Sequence, residues 1–217
     1  MRILLVSDIH GNESALQRCA DDAAGADLLI CAGDLTHFGG VPEARSVLQA
    51  LRDLHPEVKA VAGNCDNREI ESYLQEEGAL LGPAAEDFRG LRLAGISGAL
   101  PGPVTTPYEL SDEDISKSLA QLPKSMEPPL VLVSHQPPHG SVADRAMKLK
   151  HVGSRVLANW ISAQKPLLVI SGHIHESFGH KLSGTTHVIN PGAFKEGRYA
   201  VIDIDPARRE VTAALKS

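Results

Sequence analysis

The segment that decides the fold is Ile3-Leu-Leu-Val-Ser-Asp8-Ile-His10, an apolar run that leads directly into an acid and a histidine. A run without polar alternation is typical of a strand buried on both faces, as in the parallel sheets of α/β proteins. The same pattern recurs four times along the chain, in LLICAGD (28–34), VKAVAGN (58–64), LVLVSH (130–135) and LLVISGHIH (167–175). The sequence therefore predicts five buried strands, each followed by a side chain that can bind a metal ion.

Amphipathic segments separate these strands, which favours a layered α/β architecture. Their apolar spacing and end signals predict helices over 12–24, 42–54, 66–76, 111–122 and 154–163. In this interpretation Asn12 caps the first helix, and Asp66 with Glu69 forms a capping box for the third. We predict βαβ units in the first half of the chain. The last third is predicted to be an antiparallel meander, with strands near 177–182, 187–190, 198–205 and 210–215.

Length and composition predict a single domain over residues 1–217. Of the 217 residues, 42% are hydrophobic and 22% are charged, which is ordinary for a globular protein. Residues 97–129 are the least regular part, with prolines at positions 101, 103, 107, 123, 128 and 129. This insertion could be a flap over a site or a subunit interface, and the sequence leaves both interpretations open.

Charge and hydropathy exclude several classes of partner. A net charge of −6 without a basic run argues against broad binding to nucleic acid or to an anionic membrane. No apolar run approaches the ~18 residues that span a bilayer, and the apolar stretch at the N-terminus is too short for a signal peptide. Cys19, Cys31 and Cys65 lack a framework spacing and are expected to be reduced thiols. We therefore expect a cytoplasmic protein.

Seven side chains at the predicted strand ends are of types that bind metal ions. They are Asp8, His10, Asp34, Asn64, His135, His173 and His175. Ligands bind at the carboxyl ends of strands in open α/β sheets, so these segments can converge on one site. Four imidazoles, two carboxylates and one amide exceed the needs of one tetrahedral ion. They suit two ions of the manganese, iron or zinc type, with one carboxylate shared between them.

Each motif taken alone also has a purely structural explanation. Gly33-Asp34 and Gly63-Asn64 are common turn sequences, and a single histidine after a strand usually has a structural hydrogen bond. Gly172-His-Ile-His175 is the most specific piece, because alternate residues of an extended segment can both face a metal cluster. The joint occurrence of five such motifs behind five apolar strands favours a metal site over the structural explanation.

Together these motifs resemble the signature of the calcineurin-like metallophosphoesterases, over residues 3 to about 194. The resemblance implies a four-layer α/β/β/α sandwich, in which two mixed β-sheets lie between helices. It implies that one metal ion is held by Asp8, His10, Asp34 and His175, and the other by Asp34, Asn64, His135 and His173. The late Asn190-Pro-Gly192 turn is similar to that of small, uncapped bacterial and archaeal phosphodiesterases of this superfamily.

Two departures from family patterns narrow the range of branches of the superfamily that the chain resembles. Gly33-Asp34 is followed by Leu-Thr-His-Phe-Gly-Gly rather than Asp-Arg-Gly, which excludes the phosphoprotein phosphatase branch. Many members carry Gly-Asn-His, whose histidine assists the leaving group, whereas Cys65 stands at that third position here. Cys65 or His139 could protonate the leaving group, but the first could equally be a small apolar filler and the second a solvated loop residue. His37 is a further candidate for the lining of the site.

The resulting hypothesis is in-line attack on phosphorus by a hydroxide that bridges two divalent ions. Mn²⁺ is favoured, with Fe, Zn or Ni as alternatives, and the candidate catalytic residues are Asp34, Asn64, Cys65 and His139. Without a strong acid, such an enzyme favours low-pKa leaving groups and tolerates diesters. We therefore expect a phosphodiesterase that acts on a small phosphate ester.

Three alternatives remain open at this point. The protein could be a phosphomonoesterase or a nuclease of the same superfamily, or an interaction scaffold that binds metal without turnover. A general acid and additional cationic groups would favour the phosphomonoesterase. Loss of ligands would indicate the scaffold, and all seven are present. The sequence identifies neither the physiological substrate nor the oligomeric state.

Overall fold

Two β-sheets form the centre of the molecule, and the computed structural model describes residues 1–147 and 150–217. The first sheet has the order β13-β12-β1-β2-β3, formed by Glu210–Lys216, Tyr199–Asp205, Arg2–Val6, Leu28–Ala32 and Val58–Val61. The second has the order β10-β11-β9-β6-β5-β4, formed by Gly179–Ser183, Thr186–Asn190, Leu168–Ile170, Leu130–Ser134, Leu91–Ile96 and Glu86–Phe88. A short ribbon pairs β7 (Arg145–Ala146) with β8 (Lys150–His151).

Helices cover the outer faces of both sheets. They are α1 (Ala20–Ala24), α2 (Val41–Leu54), α3 (Arg68–Glu76), α4 (Asp112–Gln121) and α5 (Arg155–Gln164), with 3₁₀ helices at Glu13–Cys19 and Phe194–Glu196. Helices α2 and α3 pack with the first sheet, and α4 and α5 with the second. The layers follow the order helices, sheet, sheet, helices, so the predicted α/β/β/α sandwich is confirmed.

The alternation of side chains along β1 explains these layers. Ile3 and Leu5 belong to the cluster between the two sheets, together with Val131 of β6. Leu4 and Val6 belong instead to the cluster that includes the apolar face of α2. These four side chains are fully buried, and only Arg2 at the start of β1 is exposed. Because both faces of the strand are covered, its sequence is a continuous apolar run rather than an alternating one.

Parallel pairing brings the carboxyl ends of the central strands together. In the first sheet β1, β2 and β3 are parallel, with Val6 beside Cys31 and Ala32 beside Val61. In the second sheet β5, β6 and β9 are also parallel. The two sheets meet at these ends, because the backbone N–H of His173 after β9 donates to the Asp8 carboxylate after β1 at 3.2 Å.

The four strands predicted for the last third are present, but the prediction that they form one antiparallel meander is wrong. Strands β10 and β11 form a hairpin in the second sheet, where β11 lies parallel to β9. Strands β12 and β13 form a separate hairpin in the first sheet, where β12 lies antiparallel to β1. The chain crosses between the sheets through Asn190-Pro-Gly192 and the 3₁₀ helix at Phe194–Glu196. Local strand patterns do not show which sheet a hairpin joins.

The first predicted helix also differs from the structure. A 3₁₀ helix covers Glu13–Cys19, and α-helical geometry begins only at Ala20. The Asn12 side chain makes no capping hydrogen bond; its Oδ1 atom instead accepts the hydroxyl of Ser14 at 3.0 Å. Such local side-chain bonds compete with helix formation. The predicted helix over 111–122 is present as α4, and Ser111 caps it in a complete capping box with Asp114.

Three further predictions concern the chain as a whole. All three cysteines are free and buried, in agreement with the expectation of reduced thiols. Within the described residues, no helix combines the length and apolar character that crossing a membrane requires. The irregular stretch 97–129 contains α4, and its first part, residues 100–106, lies beside the site described next.

Candidate functional site

Five of the predicted ligands, His10, Asp34, Asn64, His173 and His175, line one cavity of about 690 Å³. Asp8 and His135 are fully buried beside it, against His175 (3.2 Å) and Asp34 (3.4 Å). The loops after β1 and β2 are joined by backbone hydrogen bonds from Asp8 to Gly33 (2.9 Å) and from His10 to Asp34 (3.0 Å). The loops after β6 and β9 are joined by the N–H of Gly172, which donates to the carbonyl of His135 at 3.3 Å. The convergence that the sequence predicted for these segments is therefore present in the fold.

Four of the seven predicted ligands have left-handed backbone conformations. The φ angles are +55° at Asp8, +51° at His10, +53° at Asp34 and +68° at His173. Residues other than glycine rarely adopt this region, and such strain concentrates at functional sites. Gly63 is required for a related reason, since a Cβ atom there would overlap the Asp34 carboxylate. The backbone thus turns sharply after β1, β2 and β9, where these four ligands lie.

The first group of ligand atoms comprises Asp8, His10, Asp34 and His175. His175 Nε2 lies 3.2 Å from Asp8 Oδ1 and 3.4 Å from His10 Nε2. His10 Nε2 lies 3.6 Å from Asp34 Oδ2. Two donors that share an ion at about 2.1 Å lie about 3 Å apart, so this spacing fits a common metal ion.

The second group of ligand atoms comprises Asp34, Asn64 and His135, with His173 alongside. His135 Nε2 lies 3.0 Å from Asn64 Oδ1 and 3.4 Å from Asp34 Oδ1. The His173 ring lies 5.3 Å from the His135 ring, measured between centroids. His135 Nδ1 bonds to the carbonyl of Ala32 at 2.7 Å, which leaves Nε2 free to bind an ion. This donor set of nitrogen and oxygen atoms fits a divalent transition metal.

The electrostatics of the site favour positive charge. Burial opposes the charged form of His135, but the carboxylates of Asp34 and Asp8 raise its pKa to about 9, so a metal ion bound at Nε2 would displace a proton from this imidazole. Burial would also raise the pKa of Asp34, but His135, His10 and the backbone N–H of Cys65 hold that pKa below its usual range. Burial and the neighbouring His135 lower the pKa of His173 to about 4, which keeps this imidazole neutral, as a ligand must be.

Asp66 joins the two loops that carry Asp34 and Asn64. It does not cap a helix as predicted, since α3 begins at Arg68 after Asn67. The fully buried Asp66 carboxylate instead accepts the N–H groups of Thr36 (2.8 Å) and Gly63 (2.8 Å), and that of Leu35 at 3.1 Å. Burial and the nearby Asp34 raise the pKa of Asp66 to about 6. Through these contacts Asp66 positions the loops that carry Asp34 and Asn64.

Cys65 and His139, the two candidate proton donors, lie in different places. Cys65 lines the cavity, and its N–H donates to Asp34 Oδ1 at 2.8 Å. Burial raises the pKa of its thiol, which keeps it protonated. His139 is not among the residues that line the cavity; its Nδ1 atom lies 3.8 Å from Asp144 Oδ2. The structure therefore brings Cys65 to the site and does not bring His139.

Three parts of the cavity lining come from outside the five motifs. His37, which the sequence offered as a candidate, lies with its Nδ1 atom 3.3 Å from His10 Nδ1. Lys195 contributes the single Lys or Arg side chain among the described residues of the lining, and sequence reasoning missed it. Its position three residues after the Asn190-Pro-Gly192 turn was the available signal. Residues 100–104 form an apolar part of the wall that the sequence could not assign.

Comparison with known proteins finds a family and a relative that match most of the chain. A family model described as calcineurin-like phosphoesterase matches residues 1–177. An uncharacterized protein of Methanocaldococcus jannaschii is 33% identical over 195 residues, which cover 88% of each chain.

Solved structures share the fold. TT1561 of Thermus thermophilus aligns with a TM-score of 0.74 and 21% identity, over 98% of this chain and 97% of that one. A novel archaeal phosphodiesterase aligns over all of both chains with a TM-score of 0.54 and 15% identity. The match of the family model and the convergent ligand set lead to one conclusion: the chain belongs to the calcineurin-like phosphoesterase family of metal-dependent phosphoester hydrolases.

Proposed function

We propose that this protein is a phosphodiesterase that uses two divalent metal ions, with Mn²⁺ as the first candidate. The observation that carries the proposal is the convergence of ligand atoms from both sheets beside one cavity. Asp8 and Asp34 come from the first sheet and His135 from the second, and their ligand atoms all lie within 4.8 Å of one another. Such ions, when bound, supply Lewis acidity toward phosphoryl oxygens and lower the pKa of a water molecule.

The chain's own residues have three tasks in this reaction. The ligand set holds the ions, and it contributes only two negative charges, from Asp8 and Asp34. A site that holds two divalent ions therefore keeps a positive charge, which attracts a phosphate ester although the whole chain carries −6. Lys195 adds a further cation to the cavity lining, where it can bind a non-bridging phosphate oxygen.

Protonation of the leaving group is the third task. His37 and Cys65 line the cavity, whereas His139 does not. A cysteine thiol is a weak acid and assists the departure of a poor leaving group little. We therefore propose a preference for esters whose leaving group has a low pKa, such as nitrophenolate, and a small phosphodiester as the substrate class. We further propose a reducing, cytoplasmic location, which the three free, buried cysteines support.

One experiment tests the proposal directly. The protein is stripped of metal with a chelator and reconstituted with Mn²⁺, and bound metal is counted by mass spectrometry. Hydrolysis of methyl p-nitrophenyl phosphate, a diester, is then compared with that of p-nitrophenyl phosphate, the matching monoester. We expect Mn²⁺-dependent turnover, faster with the diester, and two ions per chain.

A phosphomonoesterase is the second candidate, because Lys195 adds the cationic group that a dianionic substrate favours. Faster turnover of the monoester would establish that alternative. Two bound ions without turnover of either ester would indicate a binding scaffold and contradict both enzymatic proposals.

A further inference from the structure

The cavity that holds the ligand set also has an apolar wall, which we define as residues 100–104 and Val152. Residues 100–104 read Leu-Pro-Gly-Pro-Val, and all six residues line the same cavity of about 690 Å³ as His10 and His173. This volume exceeds what a phosphate group and two ions occupy and falls in the range of small-molecule sites. A further part of the substrate can therefore lie within the same cavity.

Two of the five exposed large apolar side chains in the described part of the chain belong to this wall. Val104 is 66% exposed and Val152 is 39% exposed. Two other exposed apolar residues, Phe38 and Met147, adjoin the cavity-lining residues His37 and Ala146 in sequence. Within the described residues, Leu182 is the only other large apolar side chain so exposed. Clusters of this kind on a soluble protein mark binding sites rather than accidental exposure.

Hydrogen bonds at both ends hold the wall against the ligand set. The N–H of Gly98 donates to the carbonyl of Ala62 at 2.9 Å, and the N–H of Leu100 donates to Gln136 Oε1 at 2.9 Å. Beyond the wall, the N–H of Tyr108 donates to the carbonyl of Asn64 at 3.0 Å. Asn64 is itself a predicted ligand, so the wall and the ligand set have a fixed relative position.

The wall offers little hydrogen bonding to a ligand. Pro101 and Pro103 have no backbone N–H, and no side chain in 100–104 is polar. The side chain of Gln136, also in the lining, is already bonded to Leu100 N, and its Nε2 atom lies within 3.4 Å of the Pro137 and Val152 carbonyls. A sugar or a peptide would leave its polar groups without partners at such a surface.

We propose that the apolar wall binds an alkyl or aryl substituent of the substrate, so that the substrate is a phosphodiester with one apolar ester group. This inference rests on the proposed function and narrows its substrate class. The ligand set and Lys195 would hold the phosphate, and the wall would remove the apolar group from water. Burial of apolar surface stabilises binding in proportion to the area covered.

The test uses three diesters with the same leaving group and the same charge. They are phenyl p-nitrophenyl phosphate, methyl p-nitrophenyl phosphate and the p-nitrophenyl ester of thymidine 5′-phosphate, which presents a polar nucleoside. The variant is Val104→Ser, and Leu182→Ser is the matched control, since Leu182 is 55% exposed and lies outside this cavity. Both changes lie on the surface, and thermal unfolding verifies that both variants fold.

We expect Val104→Ser to lower kcat/KM for the phenyl ester about fivefold, mainly through KM, as for the loss of one partly buried valine contact. The methyl ester should change less than about twofold, and Leu182→Ser should leave all three esters unchanged. Equal effects of Val104→Ser on the phenyl and methyl esters would overturn the proposal. The proposal would also be overturned if the wild-type protein preferred the thymidine ester and Val104→Ser did not change that preference.

A binding measurement separates this inference from the proposed function. Calorimetry with Mn²⁺-loaded protein compares phenylphosphonate with methylphosphonate, neither of which can be hydrolysed. If the protein binds phenylphosphonate more tightly than methylphosphonate, and Val104→Ser weakens that binding, the result supports the wall even if no ester is turned over. Equal affinities for the two phosphonates, with normal ester hydrolysis, would reject the wall and leave the proposed function standing.

Discussion

Two clusters of histidine and carboxylate lie in this molecule, and only one of them has the geometry of a metal site. The first is the ligand set, with Asp34 and His135 at its centre. The second comprises Asp144, His139 and His151, on the segment that follows His135. Asp144 is fully buried and bonds to His151 Nδ1 at 2.6 Å. Both clusters combine a buried carboxylate with imidazoles, so composition does not distinguish them.

The two clusters differ in how many ligand atoms come together. Asp144 Oδ2 accepts the N–H groups of Gly140 (2.9 Å) and Gly153 (3.1 Å), so protein donors satisfy the Asp144 cluster. In the ligand set, His135 Nδ1 is engaged with a carbonyl, and its Nε2 atom faces the oxygens of Asn64 and Asp34. The ligand atoms of Asp8, Asp34 and His135 all lie within 4.8 Å of one another, and the described residues form no such group of three at Asp144. Convergence of ligand atoms therefore separates a candidate metal site from a structural cluster of the same composition.

The largest expected effect comes from deleting the central carboxylate of each cluster. Asp34→Ala should lower kcat/KM about a thousandfold or more and reduce bound metal, because both predicted metal sites use Asp34 and several kcal/mol of transition-state stabilisation would be lost. Asp144→Ala should retain bound metal and lose about 3 kcal/mol of folding stability, since two N–H groups lose their partner. Metal analysis measures the bound metal of each variant, and denaturant unfolding measures its free energy of unfolding. Full activity and metal content in Asp34→Ala would show that the ligand set is misassigned.

A smaller effect is expected at Asp66, which positions the ligand set without belonging to it. Asp66→Asn replaces one carboxylate oxygen by an NH2 group, which cannot accept the N–H of Thr36 if it stands at Oδ1, or those of Gly63 and Leu35 if it stands at Oδ2. We expect a loss of about 2 kcal/mol in stability and a metal affinity about tenfold weaker, as for other residues that orient ligands. Calorimetric Mn²⁺ titration measures the affinity. An unchanged affinity in a destabilised variant would reduce Asp66 to a structural role.

Substitution of Lys195 tests how much the positive charge in the cavity contributes to catalysis. Lys195→Met should lower kcat/KM for a phosphodiester about tenfold, the order of one charge-assisted hydrogen bond, and leave metal content unchanged. Lys181→Met makes the same change at a cation outside this cavity and serves as the control. Steady-state kinetics at two salt concentrations check the result. If both variants behave alike, Lys195 contributes only to the general field of the protein.

The smallest effect is expected at His139. Because the side chain lies beside Asp144 and not in the cavity, His139→Gln should change kcat by less than about twofold for esters with poor leaving groups as well as good ones. A pH–rate profile of both proteins provides the comparison. A selective loss with poor leaving groups would restore His139 as the proton donor that the sequence allowed.

Much of the ligand set could be predicted because its signals are local. Each ligand follows an apolar strand within five residues of its end, and parallel pairing of β1 with β2 and of β6 with β9 places these ends together. The role of Asp66 could not be predicted, because its bonds to Leu35 and Thr36 join segments about thirty positions apart in sequence. Sequence spacing shows only the neighbours within a helix, where Asp66 with Glu69 resembles a cap.

The five strands, the α/β class and the types of ligand that end the strands could be predicted from the sequence, because each depends on residues that are adjacent along the chain. The partners of the last two hairpins, the separation of His139 from the cavity, and the place of Lys195 and of residues 100–104 in its lining became apparent only in the folded chain. The physical reason is that hydrogen bonding and burial act between segments that only the fold brings together. A cavity is a property of the space between them.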